Sequence, residues 1–310
     1  VTDFILSIAP IFLMIVLGHA LRRGGIPNAD FWNLNDKLVY WVLMPALLFY
    51  KTSTIEISLH FIGSYASVLI GAFAAAGLVG TGLAKLAGLP NPIASSVLQG
   101  SARHNTFIAL AVAERVYGTE GLAVAALATS ILIPITNVTM VSAMVSMHRK
   151  AGTTGFVGPI LRDLGRNPLL ISVLLGLTMN LAGIGRIPVL HETLGILGAA
   201  ALPIVLMCVG ANIRLRAMQT STLPVLFSVI GKMIVFPVMI VVLSKLLGLT
   251  TLEMTIALLF GAAPTASSAY TLARQMGGDA PLMAAIVTIQ TGLSFLTLPL
   301  TVYLVERYFT

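Results

Sequence analysis

The stretch Gln99-Gly100-Ser101-Ala102-Arg103-His104-Asn105-Thr106 is polar and partly charged, and it lies between the apolar runs Ile93–Leu98 and Phe107–Val112. The chain around it is 57% hydrophobic and 9% charged, with a mean hydropathy of +0.97, values that belong to a membrane protein. One Arg at the centre of a spanning helix costs roughly 2.5–3.5 kcal/mol on insertion scales, so it faces a cavity, an ion or a solute. The sequence therefore predicts a broken helix. Gly100 and Ser101 are weak helix formers at which the chain opens, and Arg103, His104, Asn105 and Thr106 begin a second half-helix. The unpaired N–H groups and positive dipole end of that half-helix face the gap, which makes it a candidate anion site.

A second interruption lies in the other half of the chain, at Gly261-Ala262-Ala263-Pro264-Thr265-Ala266-Ser267-Ser268. Pro264 breaks the helix there because it lacks an N–H and crowds the preceding turn. Paired interrupted apolar segments at corresponding places in two halves point to a transporter site.

Apolar windows predict spans near 3–21, 38–50, 61–86, 91–113, 121–147, 168–184, 194–212, 222–247, 252–273 and 281–305. Roughly ten crossings at about 20 residues each use the whole length and leave no stretch for a soluble domain. The net charge of +7 is spread over loops, which excludes a nucleic-acid-binding face. Instead it sets topology. Arg22, Arg23, Lys37, Lys85, Arg149, Lys150, Arg162, Arg166, Arg214, Arg216 and Arg274 fall on one side, against Lys51, Arg115, Arg186, Lys245 and Arg307 on the other. The richer side is cytoplasmic, so both termini lie outside and the first apolar run is a span rather than a cleaved signal.

The two halves correspond. Pro10, Gly18 and Pro45 match Pro168, Gly176 and Pro203; Lys85 matches Lys245; Thr106, Arg115 and Gly118 match Thr265, Arg274 and Gly277, all at an offset of about 159. Five spans is an odd number, so the second copy enters the membrane upside down. The expected architecture is all-α, with ten transmembrane helices as two inverted five-helix repeats (1–147 and 168–310), joined by a cytoplasmic linker (148–167) carrying Gly152, Gly155 and Gly158. The crossed broken helices are the fourth and ninth spans.

Several polar residues compete for roles at the breaks. Arg103 either grips a carboxylate with its fork of donors or pairs with a carbonyl. Asn105 suits a carboxylate or serves as interhelical glue. His104 either titrates or only hydrogen-bonds a neighbouring helix. Lys232 lies too deep in its span to snorkel. It holds the anion, neutralises carbonyl ends at the breaks in place of a bound cation, or braces the fold. Gln99, Thr129, Thr288 and Gln290 line the same region or pack helices. All eleven acidic residues fall near span ends or in loops, which disfavours a carboxylate-based cation antiporter. Cys208 reads as a packed thiol, and Asn137-Val138-Thr139, though it has the form of a glycosylation acceptor, sits inside a span. No metal, cofactor or enzyme motif is present in the sequence, and a retinal-type protein using Lys232 lacks an acidic counter-ion.

The segment Leu43–Phe49, the Gln99–Thr106 break with its Arg and Asn, the Lys232–Pro237 span, and Ala263-Pro264-Thr265 near Gly277-Gly278-Asp279 together resemble a bacterial auxin efflux carrier family member related to the plant PIN carriers. The resemblance covers essentially the whole chain. It implies a bundle similar to bile-acid sodium symporters and sodium/proton antiporters, in a bacterial inner membrane. A scaffold of spans 1, 2, 6 and 7 would support a transport domain of spans 3–5 and 8–10 that moves like an elevator, with a homodimer formed through the scaffold. Asn105 matches the family's substrate-contacting Asn and Pro264 its ninth-span crossover Pro; no Pro marks the fourth-span break. Family substrates are organic anions such as indole-acetate, malate or malonate. The expected function is a secondary carrier of a small organic anion held by Arg103, Asn105, Thr106, Lys232, Pro264, Thr265 and Ser267. The alternative is a sodium- or proton-coupled symporter of the same fold.

Overall fold

The computed structural model describes residues 2–26, 28–54, 59–148, 162, 165–213 and 222–308, and every regular element among them is helical. Most of the 148–167 linker, including Gly152, Gly155 and Gly158, lies outside the described residues, as do Arg149, Lys150, Arg214 and Arg216.

In chain order the helices are α1 (Thr2–Arg23), α2 (Ala29–Leu38), α3 (Met44–Thr52), α4 (Leu59–Leu86), α5 (Asn91–Ala102), α6 (Thr106–His148), α7 (Pro168–Leu181), α8 (Leu190–Ala211), α9 (Thr222–Ile230), α10 (Phe236–Leu247), α11 (Thr251–Ala262), α12 (Ser268–Met276) and α13 (Ala280–Tyr308). Among the described residues, five apolar stretches are long enough to cross a bilayer, one of them, Asn91–His148, containing α5 and α6 together, and α7 and α11 are shorter apolar helices. Their outward faces carry large aliphatic side chains, Leu78, Ile196, Leu246 and Leu296 each being more than two-thirds exposed. Water would not tolerate that surface; lipid does.

Two helices are joined end to end through π-helical turns, α2 to α3 over Val39–Leu43 and α9 to α10 over Gly231–Val235. Each turn lies just before a proline, Pro45 and Pro237, whose missing N–H interrupts the helical ladder. The second span is thus longer than the apolar window 38–50. It begins at α2, a mostly exposed segment capped by Asn28, whose side chain accepts from the Phe31 N–H.

The 43-residue α6 is two helices, merged across Gly118, which has φ 61° and ψ −146°. Only glycine reaches that conformation without strain. The second half runs back beside α5, since Asn91 Nδ2 donates to the Met147 carbonyl and His148 Nε2 lies 3.0 Å from Ser95 Oγ.

α1 packs along α8, and α3 against α7 and α8. The α1–α8 crossing is as close as backbones allow: a Cβ on Gly18 would strike the Met207 carbonyl, and one on Gly210 the Ile15 carbonyl. α4, α5, α9, α10 and α11 pack on one another, and α6 touches both sets.

Candidate functional site

The first break runs over Arg103, His104 and Asn105 between α5 and α6. The chain stays helical through Gly100 and Ser101, so it turns later than the weak formers suggest. Arg103 leaves the helix with φ −67° and ψ 139°. Asn105 then starts α6, its side-chain oxygen accepting from the N–H groups of Phe107 at 3.1 Å and Ile108 at 3.2 Å. The Asn side chain therefore occupies donors that a bare helix start would offer to a ligand.

The second break spans residues 263–267. Ala263 leaves α11 with φ −63° and ψ 142°, nearly the angles of Arg103, although no proline stands in the first break. The α12 start at Ser267 has no side-chain cap.

The breaks meet, because the Asn105 N–H donates to the Pro264 carbonyl at 2.7 Å. Thr265 Oγ1 donates toward both the Gly100 carbonyl, 3.1 Å away, and Gln290 Oε1, 2.7 Å away. Gln290 Oε1 also accepts from the Thr265 N–H at 3.0 Å, and its amide Nε2 donates to the Gly100 carbonyl at 2.8 Å. Phe260 would ordinarily give its carbonyl to the residue four positions on, which is Pro264 and has no N–H. The fully buried Lys232 supplies the missing donor, Nζ lying 3.2 Å from the Phe260 oxygen and 4.4 Å above the Phe236 ring. Sequence alone left three roles open for Lys232; in the structure its Nζ reaches a carbonyl at the second break and does not line the cavity.

Beside the junction lies a cavity of about 430 Å³ lined by residues of both breaks, Arg103, His104, Asn105, Thr106, Ala266, Ser267 and Ser268. Arg103 Nη2 donates to Ser268 Oγ at 3.2 Å, while its buried Nη1 and the His104 Nδ1 have no hydrogen-bond partner among the described residues. His104 is 4% exposed, with the Phe260 ring set edge-on beside it. No Asp or Glu is buried among the described residues, and no group of three or more His, Cys, Asp or Glu side chains gathers there to hold a metal ion. A buried guanidinium donor favours a negatively charged partner over a neutral one, because charge-assisted bonds are the stronger ones.

The remaining sequence candidates sit elsewhere. Lys232, Pro264, Thr265 and Gln290 form the junction behind the cavity and do not line it. Gln99 is buried with Nε2 3.5 Å from Met144 Sδ, and Thr129 bonds back to the Ala125 carbonyl. Thr288 lines a smaller cavity of about 140 Å³, whose wall shares Ser267 and Ser268 with the larger one. Sequence reasoning did not reach Tyr40, Thr136 or Asn167 as site residues, it named Ser268 only as the end of the second interruption, and it read Asn137 only as part of a glycosylation-like triplet, yet all five line the larger cavity. Asn167-Pro168 carries a helix-start signal, since Asn167 caps α7, but nothing local to it announces a cavity.

Helices that cross lipid, two of them broken and meeting beside a polar cavity, define a multi-pass membrane transporter. Residues 154–302 match a family model described as a membrane transport protein. An uncharacterized transporter of Methanothermobacter thermautotrophicus is 24% identical over 303 residues, which is 96% of this chain and 96% of its own. Both comparisons agree with the fold in making the chain similar to membrane transport proteins.

Proposed function

We propose that the protein is a secondary carrier of a small organic anion, whose carboxylate is held at the 430 Å³ cavity by Arg103, Thr106 and Ser267, with Asn105 shaping the start of α6. One observation carries this reading: a buried Arg103 nitrogen without a partner, on a cavity walled by both breaks, with no buried acid among the described residues. The proposed architecture is ten spans in two inverted repeats, 1–147 and 168–310. Spans 1, 2, 6 and 7 act as scaffold and the other six as a transport unit that moves against it. Three facts support it. α5 and α11 have the same length, 12 residues, and leave the helix with the same angles. Gly118 and Gly277 both turn the chain with positive φ beyond the two breaks. α1 and α8, which would be spans 1 and 7, cross at backbone contact. The expected location is the cytoplasmic membrane, with both termini outside.

The Lys232 ammonium sits on the Phe260 carbonyl, where a transported cation would otherwise have to neutralise a helix end. This favours transport driven by membrane potential without a coupling ion. A proton-coupled version rests on the unpartnered His104 Nδ1. Uptake of radiolabelled malate or malonate into proteoliposomes tests the assignment. Arg103→Ala and Asn105→Ala are expected to lose most of the flux, and unchanged flux in both overturns it. Insensitivity to sodium and pH gradients separates the uncoupled form from the coupled one.

A further inference from the structure

The larger cavity has two kinds of wall. One is made by the breaks and carries Arg103. The other comes from the returning half of α6, the π-helical turn after α2 and the start of α7, and carries Thr136, Asn137, Tyr40 and Asn167. Helix rise shows why these meet the breaks. At 1.5 Å per residue, α5 lifts Arg103 about 18 Å from Asn91, and α6 on its return holds Asn137 about 15 Å from the Met147 end that touches Asn91. Asn137 therefore comes back level with the first break.

Thr136 differs from many threonines of this bundle, and of the three buried threonine hydroxyls without a partner among the described residues, Thr81, Thr136 and Thr297, it is the one on the larger cavity. Thr52, Thr129, Thr178, Thr255, Thr291 and Thr301 each turn the hydroxyl back onto the carbonyl four residues earlier. That is the ordinary way a helix satisfies a buried hydroxyl. Thr136 is 4% exposed and its Oγ1 has no partner among the described residues, on a wall of the cavity. A buried hydroxyl left unmade costs free energy unless something in the cavity completes it.

We infer that Thr136, with Asn137 beside it, is a specificity-determining contact for the part of the solute that Arg103 does not hold. The preferred cargo is then a carboxylate bearing a second hydrogen-bonding group, a hydroxyl or another carboxylate, rather than one with an alkyl tail. This rests on the anion-carrier reading above. A site built to bond a polar group discriminates against an analogue lacking it, because its own groups are then stranded.

The test compares proteoliposome uptake of radiolabelled 4-hydroxybutyrate with that of valerate, two singly charged acids of similar length that differ in a terminal hydroxyl or methyl. Wild type is expected to favour 4-hydroxybutyrate by about tenfold or more. Thr136→Val, which keeps the shape and removes the hydroxyl, should bring the ratio near one, chiefly through lower 4-hydroxybutyrate uptake, and Thr136→Ser should restore the preference. A wild-type ratio near one, or a ratio that Thr136→Val leaves intact, overturns the inference while the carrier reading stands. If Arg103→Ala leaves both fluxes unchanged, or wild type moves neither these acids nor malate or malonate, the carrier reading fails and takes this inference with it; movement of malate or malonate alone overturns only this inference.

Discussion

The two breaks have nearly the same backbone and almost nothing else in common. Arg103 and Ala263 leave their helices within a few degrees of each other, yet the first break has three residues and a side-chain cap, while the second has five and none. The corresponding carbonyls are also treated differently. Gly100 is completed by the neutral pair Thr265 and Gln290, and Phe260 by the ammonium of Lys232. One backbone solution has thus been loaded unequally. The positive charge that faces the cavity belongs to the first break, and the positive charge that braces the crossing sits behind the second. The difference teaches that matching backbone geometry need not bring matching chemistry: the two breaks turn alike and are charged differently.

Breaking that comparison should have graded consequences. The largest is at Arg103. Arg103→Ala should cut anion flux by about a hundredfold, the order expected when a buried charged partner is lost. Arg103→Lys, which keeps the charge and loses the fork, should recover only part of it in the same assay. Next is Gln290→Leu, which strands the Thr265 amide and removes a donor from Gly100. It should lower stability by about 2–4 kcal/mol, read as an earlier thermal unfolding in detergent. Lys232→Met strands only the Phe260 carbonyl while removing a buried charge, so a smaller loss of about 1–2 kcal/mol is expected. If the ammonium replaces a cation, this variant alone should gain stability from added sodium. The smallest effects separate the caps. Asn105→Ala should cost about 1 kcal/mol, and Ser267→Ala close to nothing, since only the first is bonded to its helix.

Both breaks were legible in the sequence because a continuous helix crossing lipid has little use for a charged string or a proline in the middle of its apolar run. Where the first one opens was not. Gly100 reads as a helix breaker, but it is helical and its missing side chain makes room: a Cβ there would come within 2.8 Å of Ile286 Cγ2 and Ser228 Cβ. A glycine that permits a turn and one that permits contact look alike until the neighbours are known. The depth of Lys232 could be counted along its span, whereas its acceptor depends on a carbonyl 28 residues away that a proline has left open. Tyr40, Thr136, Asn137 and Asn167 were beyond reach for a related reason. They come from separate elements, and each taken alone is an ordinary polar residue in a helix or at its start. The returning half of α6 is what gathers them.

The bond from the Asn105 amide to the Pro264 carbonyl has a consequence for how such a machine can vary and move. Both atoms are main chain, so replacing side chains on either partner does not delete the link as such. Drift in sequence can retune which solute is accepted without uncoupling the two halves. For the same reason neither interruption can shift far by itself without breaking that bond.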